Sequence, residues 1–160
     1  MRSVNLKKAF EKSKTLNVNL KLRHDELDLP KDIMDAGEEF TVRISISKKG
    51  PFYQATILLK GKVLLECSRC LKIFAKELNL KETLDLKPYP KTYRENLSSE
   101  DLCVSFIEDE ENFDLLNLVR EQIILSIPNR RICSIECCET PLPTEGFSLK
   151  QLLEFYEKTD

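Results

Sequence analysis

The chain has no tryptophan, one histidine and only four glycines in 160 residues. Each scarcity removes a class of chemistry. With His24 the sole imidazole, zinc fingers of the two-cysteine, two-histidine type, HExxH metalloproteases and His-rich metal sites are excluded. A Ser-His-Asp triad would have to use His24, which lies in LRHDELDLP with no nucleophile elbow beside it. Gly37, Gly50, Gly61 and Gly146 are too dispersed for a P-loop or a GxGxxG phosphate cradle. No apolar run approaches the roughly 18 residues of a membrane span. The N-terminal MRSVNLKKAFEKSKTL lacks the apolar core of an export signal. The expectation is a cytoplasmic chain with no membrane partner and no catalytic role.

What is present begins with a 41% hydrophobic fraction, too high for wholesale disorder and enough for the core of a single domain. The net charge of −2 conceals an asymmetry: residues 1–100 carry +6 and residues 101–160 carry −8. A basic front and an acidic rear can orient a molecule on a polyanion, although two solvated surfaces can differ in this way without consequence. Six cysteines stand at positions 67, 70, 103, 133, 137 and 138. In a reducing compartment such thiols point to metal binding or burial rather than disulfides.

Hydrophobic periodicity predicts an α+β fold: an antiparallel β-meander or partly closed barrel followed by two helices. Leu16, Val18, Leu20 and Leu22 alternate with polar residues, as do Phe40, Val42, Ile44 and Ile46. Lys48-Lys49-Gly50-Pro51 reads as a turn, and Lys60-Gly61-Lys62 as a hairpin tip between two further strands. Leu78, Leu80, Leu84 and Leu86 continue in phase after Cys70, which makes residues 15–87 β-rich. A polar, Pro-bearing loop is expected over 88–101, with a short strand at Leu102–Ile107 after it. The helical part spans 112–128: Asp114 is an N-cap, Leu116, Val119, Ile123 and Ile127 form a stripe, and Pro128 ends it. A cysteine segment follows at 133–138. Ser148 with Gln151 then opens a C-terminal helix over 148–158. All of this is expected within one domain, 1–160.

Cys67-Ser-Arg-Cys70 lies between two strands. A tight turn brings two sulfurs three residues apart to one side, where they can share a tetrahedral ion. A redox CxxC sits instead at a helix N-terminus in a βαβ context. Two small residues in a hairpin turn are the plainer alternative. Cys133 with Cys137, or with Cys138, can complete a four-thiolate site, here assigned to Cys67, Cys70, Cys133 and Cys137 with zinc as the ion. The irregular spacing of the second group makes this weaker than a pair of CxxC knuckles. Cys103, in an apolar run, reads as a small buried hydrophobe.

Strand–CSRCLKIF–strand, a long variable loop and then FDLLNLVREQIILSIPNRRIC resemble the YceD-like family, a bacterial and plastid group. Its C-x-R-C-L turn corresponds to Cys67, Arg69, Cys70 and Leu71. Its helix motif corresponds to Asp114, Leu115, Glu121, Ile123, Ile124, Leu125, Ile127 and Pro128, with Cys133 and Cys137 for the C-x3-C that often follows. The similarity covers roughly residues 15–140. It departs after C-x3-C, where Cys138-Glu139-Thr140-Pro141 replaces a Gly-rich segment with further cysteines. The resemblance implies a non-catalytic factor in large ribosomal subunit biogenesis, promoting 23S rRNA accumulation or processing. Its implied partner is ribosomal RNA or a pre-ribosomal particle.

Candidate RNA-contacting residues are Lys48, Lys49, Arg69, Lys72 and Lys76, cations in predicted turns and around the CxxC. Clustered at one sheet end, they would neutralise phosphates, with Phe52 and Tyr53 available to stack on unpaired bases. Solvated lysines that blunt exposed hairpins have the same appearance. Arg69, inside the cysteine turn, suits either thiolate stabilisation or a phosphate. The alternative is an assembly adaptor whose acidic run Glu108–Glu111 docks a basic ribosomal protein without touching RNA. A thiol- or zinc-dependent enzyme is disfavoured by the scarcity of acid/base partners.

Overall fold

The computed structural model describes residues 2–89 and 103–134. In chain order these form β1 (Ser3–Val4), α1 (Leu6–Lys12), β2 (Thr15–Leu22), a 3₁₀ turn (His24–Leu27) and β3 (Met34–Asp35). β4 (Phe40–Lys49), β5 (Phe52–Glu66), β6 (Ile73–Pro88), β7 (Val104–Ile107), β8 (Phe113–Asp114) and α2 (Leu115–Ser126) follow. The expected 148–158 helix, most of the 88–101 loop, Cys137 and Cys138 lie outside the described residues. No helix among the described residues is long and apolar enough to cross a membrane.

Alternation decides the sheet. β4 turns Phe40, Val42, Ile44 and Ile46 inward, all buried, and leaves Thr41 and Arg43 exposed. Each such side chain contributes about 1.5–3 kcal/mol on burial. The strands run in the order β2-β4-β5-β6-β7, with β3 added beside β5. The neighbours from β2 to β6 are antiparallel, and β7 joins β6 in parallel. The sheet is open: β2 and β7 are not paired among the described residues, so the meander is realised and the barrel is not. One face is covered by Leu6 of α1, Leu27 and Ile33 of the following turns, and Leu115, Leu118, Val119 and Ile123 of α2. The other face is polar, with Ser45 hydrogen-bonded to Asn17 at 2.7 Å and Arg43 to Asn19 at 3.2 Å. This two-layer α+β arrangement is the expected class.

Lys60-Gly61-Lys62 is not a hairpin tip. β5 runs through it unbroken for 15 residues, pairing from Tyr53↔Leu86 to Glu66↔Ile73 without a slip. Its inward phase runs through Tyr53, Ala55, Ile57, Leu59, Gly61, Val63 and Leu65, so the half-buried glycine occupies an inward-facing position. A Cβ on Gly61 would stand 2.2 Å from Cδ1 of the buried Phe40 ring, which is why no side chain is present there. The strand needs a gap at this point, where the sequence pattern reads as a turn.

α2 begins on the predicted cap. The Asp114 carboxylate accepts from the N–H groups of Leu116 at 2.9 Å and Asn117 at 3.2 Å. α1 is an element the periodicity reading missed. Its signals are an Asn5 cap accepting from Lys8 N–H at 3.0 Å and an inward pair, Leu6 and Phe10, at i and i+4. Cys103 is exposed rather than buried, because it precedes β7 instead of lying within it.

Candidate metal centre and nucleic-acid interface

The inward phase of β5 continues one step past the strand and ends on Cys67, whose side chain is fully buried. Cys67 N–H donates to the Lys72 carbonyl at 2.9 Å, closing the hairpin. Leu71 N–H donates back to the Cys67 carbonyl at 3.0 Å. Between them Leu71 takes a left-handed conformation at φ 60° while remaining 67% exposed. That backbone costs a non-glycine residue about 1 kcal/mol or more. The turn is tight because it must present Cys67 and Cys70 on one side.

The third thiol comes from the segment after α2. Ser68 N–H donates to the Arg131 carbonyl at 2.7 Å, and Arg131 N–H returns to Ser68 Oγ at 3.1 Å. The Arg131 guanidinium meets the Asp32 carboxylate at 2.6 Å and the Asp32 carbonyl at 3.2 Å. Hydrogen bonding by Arg131 holds the Asp32 carboxyl below its ordinary value of 3.8. Clamped on both sides, the chain delivers Cys133 to the knuckle. Its N–H donates to Cys67 Sγ at 3.4 Å, and its Sγ lies 3.6 Å from that of Cys70.

The sulfurs of Cys67, Cys70 and Cys133 all lie within 4.8 Å of one another. A tetrahedral zinc site with bonds of about 2.3 Å has sulfur–sulfur edges of about 3.8 Å, so the donor set and its spacing fit such an ion. Three of the four expected ligands are thus brought together; the fourth, Cys137, is outside the described residues.

The model of one protein family, described as large ribosomal RNA subunit accumulation protein YceD, matches residues 55–152. That span is more than half of the chain and takes in most of β5, the cysteine turn, β6, α2 and Cys133. The chain belongs to the YceD family. Comparison with curated proteins and with solved structures finds no match. The family description connects the chain to accumulation of large-subunit ribosomal RNA.

In this YceD-family chain the candidate cations fall into two groups. Arg69 and Lys72 are exposed on the cysteine turn, and Lys76 is exposed on β6 opposite Val63. Arg130, which sequence reasoning did not single out, is exposed beside Arg131 and joins this end. Lys48 and Lys49 are at the other end of β5, as the last two residues of β4 opposite Tyr53 and Phe52. At about 3.3 Å per residue, the two ends are separated by about 45 Å of strand. The five residues therefore do not share one sheet end. Tyr53 is buried and donates to the Glu110 carboxylate at 3.4 Å, so it is not available to stack on a base. Phe52 is half-buried with Lys87 Nζ 5.4 Å from its ring centre.

The acidic run is partly engaged within the chain. The Glu110 carbonyl accepts from Leu6 N–H at 2.8 Å, and Glu111 pairs with Lys7 at 3.6 Å. Asp109 accepts from Glu111 N–H at 2.8 Å, which lowers its carboxyl pKa from 3.8. These contacts hold α1 against the β7–β8 connection.

Proposed function

We propose that this chain promotes large-subunit ribosomal RNA accumulation by binding that RNA directly, and that its contact surface is the cysteine turn held by one zinc ion. Cys67, Cys70 and Cys133 supply three thiolates in this reading, with Cys137, or its neighbour Cys138, as the fourth. The ion is a structural staple: it holds a six-residue turn and the tail of α2 as one rigid head. The protein does no chemistry on the RNA.

The observation that carries the reading is the coupling of a metal-competent thiol cluster to unneutralised cations. Arg69, Lys72, Lys76 and Arg130 are exposed, and no carboxylate among the described residues pairs with them. A rigid presentation of cations suits phosphate oxygens, because the side chains lose little backbone freedom on binding. Leu71 and Ile73, 67% and 58% exposed, add apolar surface beside those charges for an unstacked base.

The test is binding of a 23S rRNA fragment across a salt series, with the triple variant Arg69→Gln/Lys72→Gln/Lys76→Gln beside the wild type. The expected result is weaker binding and a log–log salt slope shallower by about 2, at about 0.7 per single-strand phosphate contact. An unchanged slope refutes direct contact at the head. Retained association of the same variant with pre-ribosomal particles then supports the adaptor reading, in which a basic ribosomal protein is the partner.

A further inference from the structure

The end of the sheet farthest from the cysteines gathers its own charge. Thr15 of β2 pairs with Ser47 of β4, so Lys14, just before β2, and Lys48 of β4 are the next residues outward. Lys12, at the end of α1, lines the same surface hollow with Lys14, Lys48, Phe10 and Glu11. Lys49 follows Lys48 as the last residue of β4. Across β5, Lys87 of β6 lies over the Phe52 ring. Five lysines from α1, β4, β6 and the approach to β2 thus converge on one edge.

This placement is unfavourable for an isolated chain. Like charges on facing strand positions destabilise a sheet, and lysine pairs normally acquire a carboxylate neighbour. Among the described residues no ion pair reaches Lys12, Lys14, Lys48 or Lys49, and Glu11 is the only acid in the hollow. By contrast, Lys62 on the same sheet pairs with Glu38 at 2.9 Å, and Lys7 of α1 with Glu111 at 3.6 Å.

We propose that this edge, formed by Lys12, Lys14, Lys48 and Lys49, is a second site for the RNA phosphate backbone, so that the protein grips one RNA at two points. The proposal rests on the reading of the cysteine turn as an RNA contact. It adds that β5 and β6 act as a rigid spacer of about 45 Å between the two contacts. Such a spacer selects an RNA whose phosphate segments lie that far apart. Each contact also raises the effective concentration of RNA at the other, so affinity exceeds that of either alone. The edge reads no sequence, since its donors are point charges aimed at phosphate rather than at base edges.

The experiment uses the full chain and a 23S rRNA fragment, with Lys14→Gln/Lys48→Gln/Lys49→Gln compared against Arg69→Gln/Lys72→Gln. All five positions are exposed, and thermal melts verify that both variants fold. Hydroxyl-radical footprinting of the wild type should give two separate protected segments, one lost in each variant. The lysine variant should flatten the salt slope by about 2 to 3, at 0.7 to 0.9 per phosphate. A single footprint and an unchanged slope in the lysine variant, with the head variant impaired, overturns the second site and leaves the first reading standing. If neither variant changes RNA binding, both fail. Loss of an acidic ribosomal-protein partner from the lysine variant, with RNA binding intact, assigns the edge to protein and also overturns the proposal.

Discussion

Gly61→Ala is the sharpest test of the fold that positions the site. The added methyl carbon would stand 2.2 Å from Phe40 Cδ1 and 2.8 Å from Cε1, both well short of the roughly 3.5 Å optimum for carbon contacts. Phe40 is fully buried, so the ring cannot swing into solvent. Overpacking of this kind costs about 1–3 kcal/mol. Reduced freedom of the unfolded chain returns at most about 1 kcal/mol. The net expectation is a loss of about 1–2 kcal/mol, read from urea unfolding at constant m-value. Phe40→Leu alone should also destabilise, by opening a void over Gly61. The double variant should be more stable than the sum of the two by at least about 1 kcal/mol, because the alanine methyl fills that void. Gly61→Ala within about 0.5 kcal/mol of wild type, or strict additivity in the cycle, would refute the continuous-strand account.

Three further outcomes follow from the same geometry. Protein purified under reducing conditions should carry about one zinc per chain, and Cys67→Ser should lose it; metal analysis showing no zinc in the wild type removes the staple. Asp114→Ala strips the cap from two α2 N–H groups and should cost about 1–2 kcal/mol, seen as a melting point lower by about 3 °C per kcal/mol. Arg131 lowers the Asp32 carboxyl below 3.8, so this pair adds stability above the ordinary carboxylate range and loses it as pH falls through the lowered value. Asp32→Asn should therefore differ from wild type near neutral pH, by no more than about 1 kcal/mol because the Asp32 carboxylate is exposed. The two unfolding curves should converge once pH falls below the lowered Asp32 value, and a difference that persists there contradicts the assignment.

The sequence by itself determined the elements whose signals are local. The alternation of Phe40 to Ile46, the Asp114 cap and the Pro128 stop depend on side chains a few residues apart, and the structure has them where the pattern places them. The order of motifs likewise determined the family. Gly61 misled because a glycine between lysines has the same local appearance in a turn as under an aromatic ring 21 residues earlier in the chain; the unbroken odd-numbered phase from Tyr53 to Cys67 was the signal to trust. α1 was hidden because two inward residues make too short a stripe to stand out.

Only the tertiary structure decided distance. Whether Cys133 reaches Cys67 and Cys70 depends on the Arg131–Asp32 and Arg131–Ser68 contacts, which join residues 99 and 63 apart. No periodicity encodes those. Whether Lys48 and Arg69 act together depends on β5 being one 15-residue strand rather than two short ones. A list of cations therefore read as one patch, and strand geometry divides it into two ends with a rigid span between.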